Sequence, residues 1–181
     1  RRGDHLLLLN ILRAFEELDE RDERKAWCRD NFVSYKAMLA VLDARKQLRE
    51  RVERLGLGEW SQSVGDEDEP VLNALVGGLF ANTALRQEDG TYRHTLTKQV
   101  RHRFLFLRSR RTPTPFPPPA RSQVVAIHPS STLHNKKAPA ILYDELVLTT
   151  KTYARGVSSI EPTQIRSKVR RFSASVVPRG R

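Results

Sequence analysis

Five histidines, one cysteine and a pair of adjacent carboxylates are the side chains from which chemistry would have to be built. His5, His94, His102, His128 and His134 fall at no spacing that gathers metal ligands, and Cys28 stands alone. Cys28 follows Trp27 in an apolar helical pattern, which suits a buried, inert thiol rather than a nucleophile. Asp144 and Glu145 are neighbours in a β-rich stretch, so a strand sends them to opposite faces and offers no catalytic carboxylate pair. No G-x-x-x-x-G-K-[ST] run occurs, so no phosphate loop of that kind is present, and Gly77-Gly78 lies inside a helical pattern as a close-packing spot. What remains is a binding pattern. Lys151, Tyr153 and Arg155 alternate, which on a strand sets an aromatic ring between two cations on one face. The ring can stack on a base while the cations meet phosphates. A solvated strand face with an ordinary tyrosine fits the same residues.

The elements that would position this face follow from periodicity. Leu8, Ile11, Leu12, Phe15 and Leu18 share one helical face, with Asp4 as N-cap. A second helix is expected near 22–31. A third has Ser34 as its cap, an apolar face of Ala37, Val41, Ala44, Leu48, Val52 and Leu55, and a stop at Gly56-Leu57-Gly58. A linker over 58–69 ends in acids, and Pro70 opens a helix expected to run to about residue 84. Beyond it the pattern changes. Asp89-Gly90 is a turn signal, and 92–96, 123–127 and 141–150 are β-rich. The segment 98–121 holds five of the ten prolines and seven basic side chains without an acid, a composition that cannot bury a core.

Charge alone would suggest a nucleic-acid protein: 32 Lys+Arg against 21 Asp+Glu, net +11. Its distribution qualifies that. Residues 1–70 carry 13 basic and 16 acidic side chains, whereas 71–181 carry 19 and 5. Most of the excess sits in 98–121 and in 166–181, a tail with six basic groups and no acid. No apolar run nears the roughly 20 residues of a membrane span. The single cysteine excludes an internal disulfide framework and points to a reducing compartment. The chain opens on Arg1-Arg2-Gly3-Asp4 and its one methionine is Met38, so it reads as part of something longer.

Several short blocks fall in order along about 3–162. Gly3-Asp4-His5-Leu6 with Leu8-Leu9-Asn10 is similar to G-D-H-L-x-L-L-N, and Trp27-Cys28 with Asn31-Phe32 to W-C-x-x-N-F. Ala44-Arg45-Lys46-Gln47-Leu48 resembles a stretch ending R/K-Q-L, and Ala74-Leu75 with Gly78-Leu79-Phe80-Ala81-Asn82 resembles A-L-x-x-G-x-F-x-N. Asp89-Gly90-Thr91-Tyr92 resembles D-G-x-Y, His128-Pro129-Ser130-Ser131 resembles H-P-S-S, and Tyr143 to Lys151 resembles Y-x-E-L-V-L-T-T-K. Together these blocks resemble those of DEAH-box RNA helicases. The Arg/Pro segment 98–121 and the basic tail after Pro162 depart from that pattern, which leaves closure of the barrel open.

The resemblance implies an α+β chain. An N-terminal helical bundle, the helicase-associated, ratchet-like domain over 1–69, would precede an OB-like β-barrel over 70–165 with 98–121 inserted, and the tail 166–181 would follow. It implies a C-terminal accessory portion that engages single-stranded RNA in ribosome biogenesis or pre-mRNA splicing, in the nucleus or nucleolus, with the cytoplasm as the alternative. Two RecA-like domains upstream would hydrolyse ATP with Mg2+, so this chain would hold no cofactor and show no activity alone. RNA is expected over Thr150, Lys151, Tyr153 and Arg155, with Ser130 and Ser131 donating to phosphate or sugar. The alternatives are a protein-docking module for a G-patch or scaffold partner, and a truncated product without function.

Overall fold

A computed structural model describes residues 2–58, 63–95 and 124–175, so the segment 98–121 and the end of the tail lie outside the described residues. The chain divides into two compact units, Leu7–Glu67 and Arg1–Leu6 with Asp68–Arg181. Among the described residues there are five helices and seven strands, an α+β chain.

The first unit holds α1 (Asp4–Glu16, whose opening residues go with the second unit), α2 (Arg21–Asp30) and α3 (Tyr35–Arg54). Phe15, Cys28 and Met38 are buried together, and Ile11, Leu12, Trp27, Val33, Tyr35 and Leu42 pack on them. The Phe15 ring lies 6.3 Å from Trp27 and 6.2 Å from Tyr35, and the Arg24 guanidinium stands 5.2 Å from its centre. Burial of each such side chain contributes about 1.5–3 kcal/mol. Burial also raises the Cys28 thiol above its ordinary value, as an inert core position should. Ser34 caps α3 as its sequence implies, its hydroxyl accepting from the Ala37 amide at 3.3 Å. The inward face of α3 is not the expected one. Tyr35, Met38 and Leu42 meet the core, while Ala37, Val41, Ala44, Leu48 and Leu55 of the expected stripe are exposed and Val52 is half-buried.

The second unit begins with α4 (Asp68–Leu79), which ends five residues before the 84 expected from its apolar pattern. The strands are β1 (Thr83–Arg86), β2 (Tyr92–His94), β3 (Val124–Ile127), β4 (Ala140–Leu142), β5 (Glu145–Leu148), β6 (Thr152–Arg155) and β7 (Ser158–Ile160). The Thr83 hydroxyl donates to the Phe80 carbonyl at 2.9 Å, and the chain then enters β1 instead of continuing as helix. Among the described residues Gly77 is met only by the Lys168 side chain, 3.5 Å from where a Cβ would stand, and Gly78 by nothing, so neither is a close-packing spot there.

The strands run in the order β5-β6-β3-β2-β1-β4-β7. The two ends of that order are joined through the chain itself. β4 runs into β5 and β6 into β7. Ala140 faces Ile160 at one end and Leu148 faces Thr152 at the other, the same number of residues away on each strand. The two ladders are therefore one antiparallel hairpin, bent at Tyr143-Asp144. One arm of β4–β5 pairs with β1 and its hairpin partner β6 pairs in parallel with β3. The circuit β1-β2-β3-β6-β5/β4-β1 closes a small barrel, with 152–160 as the strand pair that completes it. At the bend the Tyr143 amide donates to the Asn82 carbonyl and the Asp144 amide to the Arg155 carbonyl, both at 3.0 Å. Gly156, at φ 61°, leaves the room that the Asp144 carboxylate occupies. Ala84, Tyr92, Val125, Ile127, Leu133, Ile141, Tyr143 and Ala154 fill the interior.

The residues read as a basic tail from 166 belong in part to a helix, α5 (Pro162–Ser175). Ile165 of α5 is buried, and the Gln164 side-chain Nε2 donates to the Asn73 Oδ1 of α4 at 2.9 Å.

Candidate nucleic-acid interface

Three connections of the barrel surround a groove of about 620 Å³. The first is the β1–β2 turn, built as Asp89-Gly90 demands. Gly90 adopts φ 80°, and the Asp89 carboxylate accepts from the Thr91 hydroxyl at 2.7 Å and amide at 2.9 Å. Those bonds hold the Asp89 carboxyl below its ordinary value. The second is the run 128–138 between β3 and β4, wound by amide-to-carbonyl turns from Ser131 to His128, His134 to Ser131 and Lys136 to Leu133. Leu133 and Ala138 plug it into the core, and the Tyr92 hydroxyl donates to the Ala138 carbonyl at 3.0 Å. The third is the β5–β6 turn, where the Thr149 amide donates to the Lys151 carbonyl at 3.0 Å. Arg86, Lys136, Lys137 and Lys151 line the groove, and no ion pair neutralises any of the four among the described residues.

The residues expected at the interface divide. Lys151 stands on the groove, next to Thr152. Tyr153 and Arg155 are on the outer face of β6, because Ala154 between them is buried in the core. The expected single face fails because strand alternation begins at Thr152, and Lys151 lies in the turn before it. The Tyr153 ring packs edge-on to His128, centroids 5.7 Å apart, and the His128 ring in turn holds the Ser130 hydroxyl at 2.7 Å. Thr150 is exposed in the turn. Arg155 is 3.6 Å from Glu145, its cross-strand neighbour on β5. Ser131 is 8% exposed and its oxygen accepts from the Leu133 amide at 3.2 Å, so it stands in the wall of the loop rather than on its surface.

Asp4, expected as the N-cap of α1, is instead its first residue and belongs to an anchor. Its carboxylate accepts from the Thr132 amide and hydroxyl and from the Val157 amide, each at 2.8 Å. Its own amide donates to the Val157 carbonyl, and the Ser159 amide donates to the Arg2 carbonyl. The N-terminal segment thereby covers the free edge of β7. Next to it, His5 links Ser158 and Asp144: Nδ1 is 2.8 Å from the serine Oγ and Nε2 is 2.8 Å from the carboxylate. The trio has the composition of a hydrolase triad, but Ser158 is 0% exposed, so no substrate reaches its oxygen and the trio is a structural clasp.

The lysines that carry the groove, Lys136 and Lys137, were passed over in the sequence because they lie in a connection. A basic pair just after a run of turn residues, beside Asn135 at φ 65°, was the available signal.

Residues 71–169 match the family described as oligonucleotide/oligosaccharide-binding (OB)-fold. ATP-dependent RNA helicase DHX33 of Mus musculus is 36% identical over 159 residues, covering 88% of this chain and 19% of that protein. Probable ATP-dependent RNA helicase DHX35 of Pongo abelii is 31% identical over 160 residues, covering 88% and 18%. Pre-mRNA-splicing factor ATP-dependent RNA helicase DEAH10 of Arabidopsis thaliana is 27% identical over 170 residues, covering 88% and 20%. The chain thus spans about a fifth of the length of these relatives.

Proposed function

Because the chain belongs to this OB-fold family and corresponds to a C-terminal region of DEAH-box RNA helicases, we propose that it is the RNA-binding accessory part of such an enzyme, with single-stranded RNA held in the basic groove of the barrel. The observation that carries this reading is the convergence of Arg86, Lys136, Lys137 and Lys151 on one groove from the end of β1 and two separate connections. Strands 2 and 3 of an OB barrel and the loops beside them are where the fold holds oligonucleotides, and β2, β3 and the adjoining turns line this groove. The lysines meet phosphates, and Tyr153 with His128 offers rings to a base that leaves the groove over β6. On this reading Leu7–Glu67 is part of the helicase-associated helical domain. ATP and Mg2+ belong to RecA-like domains outside the chain, which alone turns over no ATP. The process is ribosome biogenesis or pre-mRNA splicing in the nucleus or nucleolus, and a G-patch protein is a candidate regulator.

RNA affinity measured across a salt series tests the groove. Each phosphate contact on a single strand contributes about 0.7 to the slope of log affinity against log salt. The variant Lys136→Ala/Lys137→Ala therefore loses affinity and about 1.4 of that slope, whereas Tyr153→Ala loses affinity at an unchanged slope. An unaltered slope in the double variant, together with loss of binding when 98–121 is deleted, would assign the affinity to the Arg/Pro segment and refute the groove.

A further inference from the structure

The groove gathers more positive charge than a strand passing through it would neutralise. Arg86, Lys136, Lys137 and Lys151 supply four cations, and among the described residues no carboxylate lines the groove and no ion pair neutralises them. Lys136, Lys137 and Lys151 are exposed, whereas Arg86 is half-buried and held in place. Its Nη2 stands 3.7 Å from where a Cβ on Gly90 would be, a close approach that the bare turn permits. Burial raises the Tyr92 phenol above its ordinary value and the charge of Arg86 opposes that rise, which sets the guanidinium near the phenol. The Tyr92 hydroxyl donates to the Ala138 carbonyl at 3.0 Å, so Arg86 stands by the wall that carries Lys136 and Lys137. Asp89, next to Gly90 in the turn, already accepts from the Thr91 hydroxyl and amide.

Size and charge together select the part of an RNA that fits. A cavity of about 620 Å³ is on the scale of a small-molecule site, room for about one or two nucleotides rather than a long stretch of strand. Each internal phosphodiester carries one negative charge, so a strand crossing the groove sets about one or two charges against the cations. The surplus cations repel one another between low-dielectric walls. A terminal phosphate monoester carries about two charges near neutral pH. A 5′-triphosphate end, two bridging phosphates and one terminal, therefore brings about four charges within the length of one nucleotide. That matches the four cations in number and the groove in size. The arginine fork and the compact lysine ammonium are the groups that hold clustered phosphate oxygens.

We propose that the groove holds the 5′-triphosphate end of an RNA, with Arg86, Lys136, Lys137 and Lys151 around the phosphates. The inference rests on the reading of the groove as an RNA site and adds which part of the RNA enters it. A free nucleoside triphosphate carries the same polyphosphate. The RNA end is favoured because Ile127 and Thr152 of the groove are followed by His128 and Tyr153, whose rings meet the nucleotides that come after the first.

The test titrates the full chain, by fluorescence anisotropy and without divalent cations, with one short 3′-labelled single-stranded RNA. The RNA carries a 5′-triphosphate, a 5′-monophosphate or a 5′-hydroxyl. The triphosphate RNA should bind at least about tenfold tighter than the hydroxyl RNA and with a steeper salt slope, the monophosphate lying between. Both differences should be lost in Lys136→Ala/Lys137→Ala at an unchanged melting temperature, since both side chains are exposed and unpaired among the described residues. Lys151→Ala, from the other turn, should weaken the triphosphate RNA more than the hydroxyl RNA. Inorganic tripolyphosphate and ATP should displace the triphosphate RNA only at concentrations at least about tenfold above those at which unlabelled triphosphate RNA does. Equal affinity for the three ends overturns the proposal. So does a triphosphate advantage that survives in the double variant, which would place the end on a basic segment elsewhere. Displacement by tripolyphosphate or ATP as effective as by the RNA makes the ligand a free polyphosphate and overturns it too. If the three ends bind alike but all lose affinity in the double variant, RNA occupies the groove by its interior and only the end recognition falls. If the double variant changes no RNA's affinity, the groove reading falls with it.

Discussion

Asp4→Asn keeps the size of the side chain and removes its charge and one acceptor. In the native chain one carboxylate oxygen accepts from the Thr132 amide and hydroxyl and the other from the Val157 amide, all at 2.8 Å. Whichever way an asparagine turns, its NH2 faces a donor, and either the Val157 amide or the Thr132 pair loses its acceptor. Hydrogen bonds to a charged acceptor contribute about 1.5–3 kcal/mol each, and a buried donor left without a partner costs about 1–3. With one bond lost and the others weakened, the variant should be destabilised by about 3 kcal/mol, or about 6–12 °C in melting temperature for a chain of this size. The pH dependence supplies an independent check. Burial raises the Asp4 carboxyl, but the bonds from the Val157 and Thr132 amides and from the Ser131 and Thr132 hydroxyls outweigh it, and the folded value lies below 3.8. A depressed carboxyl contributes stability that is present above the unfolded value and lost as pH falls through the folded one. The gap between wild type and variant should therefore be constant from neutral pH down to about 5 and narrow below about 4. Thermal melts followed by circular dichroism across that range measure it. A gap under about 1 kcal/mol at neutral pH, or one that does not narrow in acid, would refute the anchor as described.

Gly3→Ala should be severely destabilising, because at φ 127° its Cβ would stand 2.5 Å from Ser158 Cα and from the Val157 carbonyl; urea unfolding reads the loss, and a midpoint equal to wild type would show that the segment is not seated on β7. Gly156→Ala should displace the Asp144 carboxylate from His5, read as loss of stability that Asp144→Ala largely removes when combined with it. Tyr143→Phe should leave stability at neutral pH equal or higher, since the buried hydroxyl has no partner among the described residues. Burial pushes the Tyr143 phenol up to about 12, so the folded chain keeps a proton that the unfolded chain releases near 10, and stability falls as pH rises between the two. That alkaline fall should be smaller in Tyr143→Phe when urea midpoints at neutral and alkaline pH are compared.

Local signals were legible wherever the chain's own neighbours decide the structure. Ser34 caps α3 and Asp89-Gly90 makes its turn because the bonds involved span two or three residues. The faces of helices were less so. Tyr35, Met38 and Leu42 and the stripe from Ala37 to Leu55 repeat at the same period, and nothing in a period says which set meets the unit's own core. β1 was hidden for a related reason. It lies between β2 and β4, and its Thr-Ala-Leu-Arg run continues the apolar pattern of α4 with no alternation to mark the change. The groove was least legible of all, since Arg86 ends β1 while Lys136 and Lys151 come from two connections, and only the barrel's register brings them together.

The blocks that carry the family resemblance have a physical meaning that differs from the one first attached to them. Gly3-Asp4-His5 and His128 to Thr132 lie more than a hundred residues apart, and the structure makes them partners: Asp4 holds Thr132 and Ser131, while His5 reaches the bend of the long hairpin through Asp144. Both contacts bear on the groove without entering it. The run fixed by Asp4 continues into Lys136 and Lys137, and the hairpin gripped by His5 ends in the turn that carries Lys151. Residues of some of the family-like blocks are therefore the ones that fix the groove's loops. Of the groove lysines, Lys136 and Lys137 lie between blocks, and Lys151 closes one. Loss of Asp4 should accordingly weaken RNA binding through displaced loops, with the salt slope moving only as far as the lysines move.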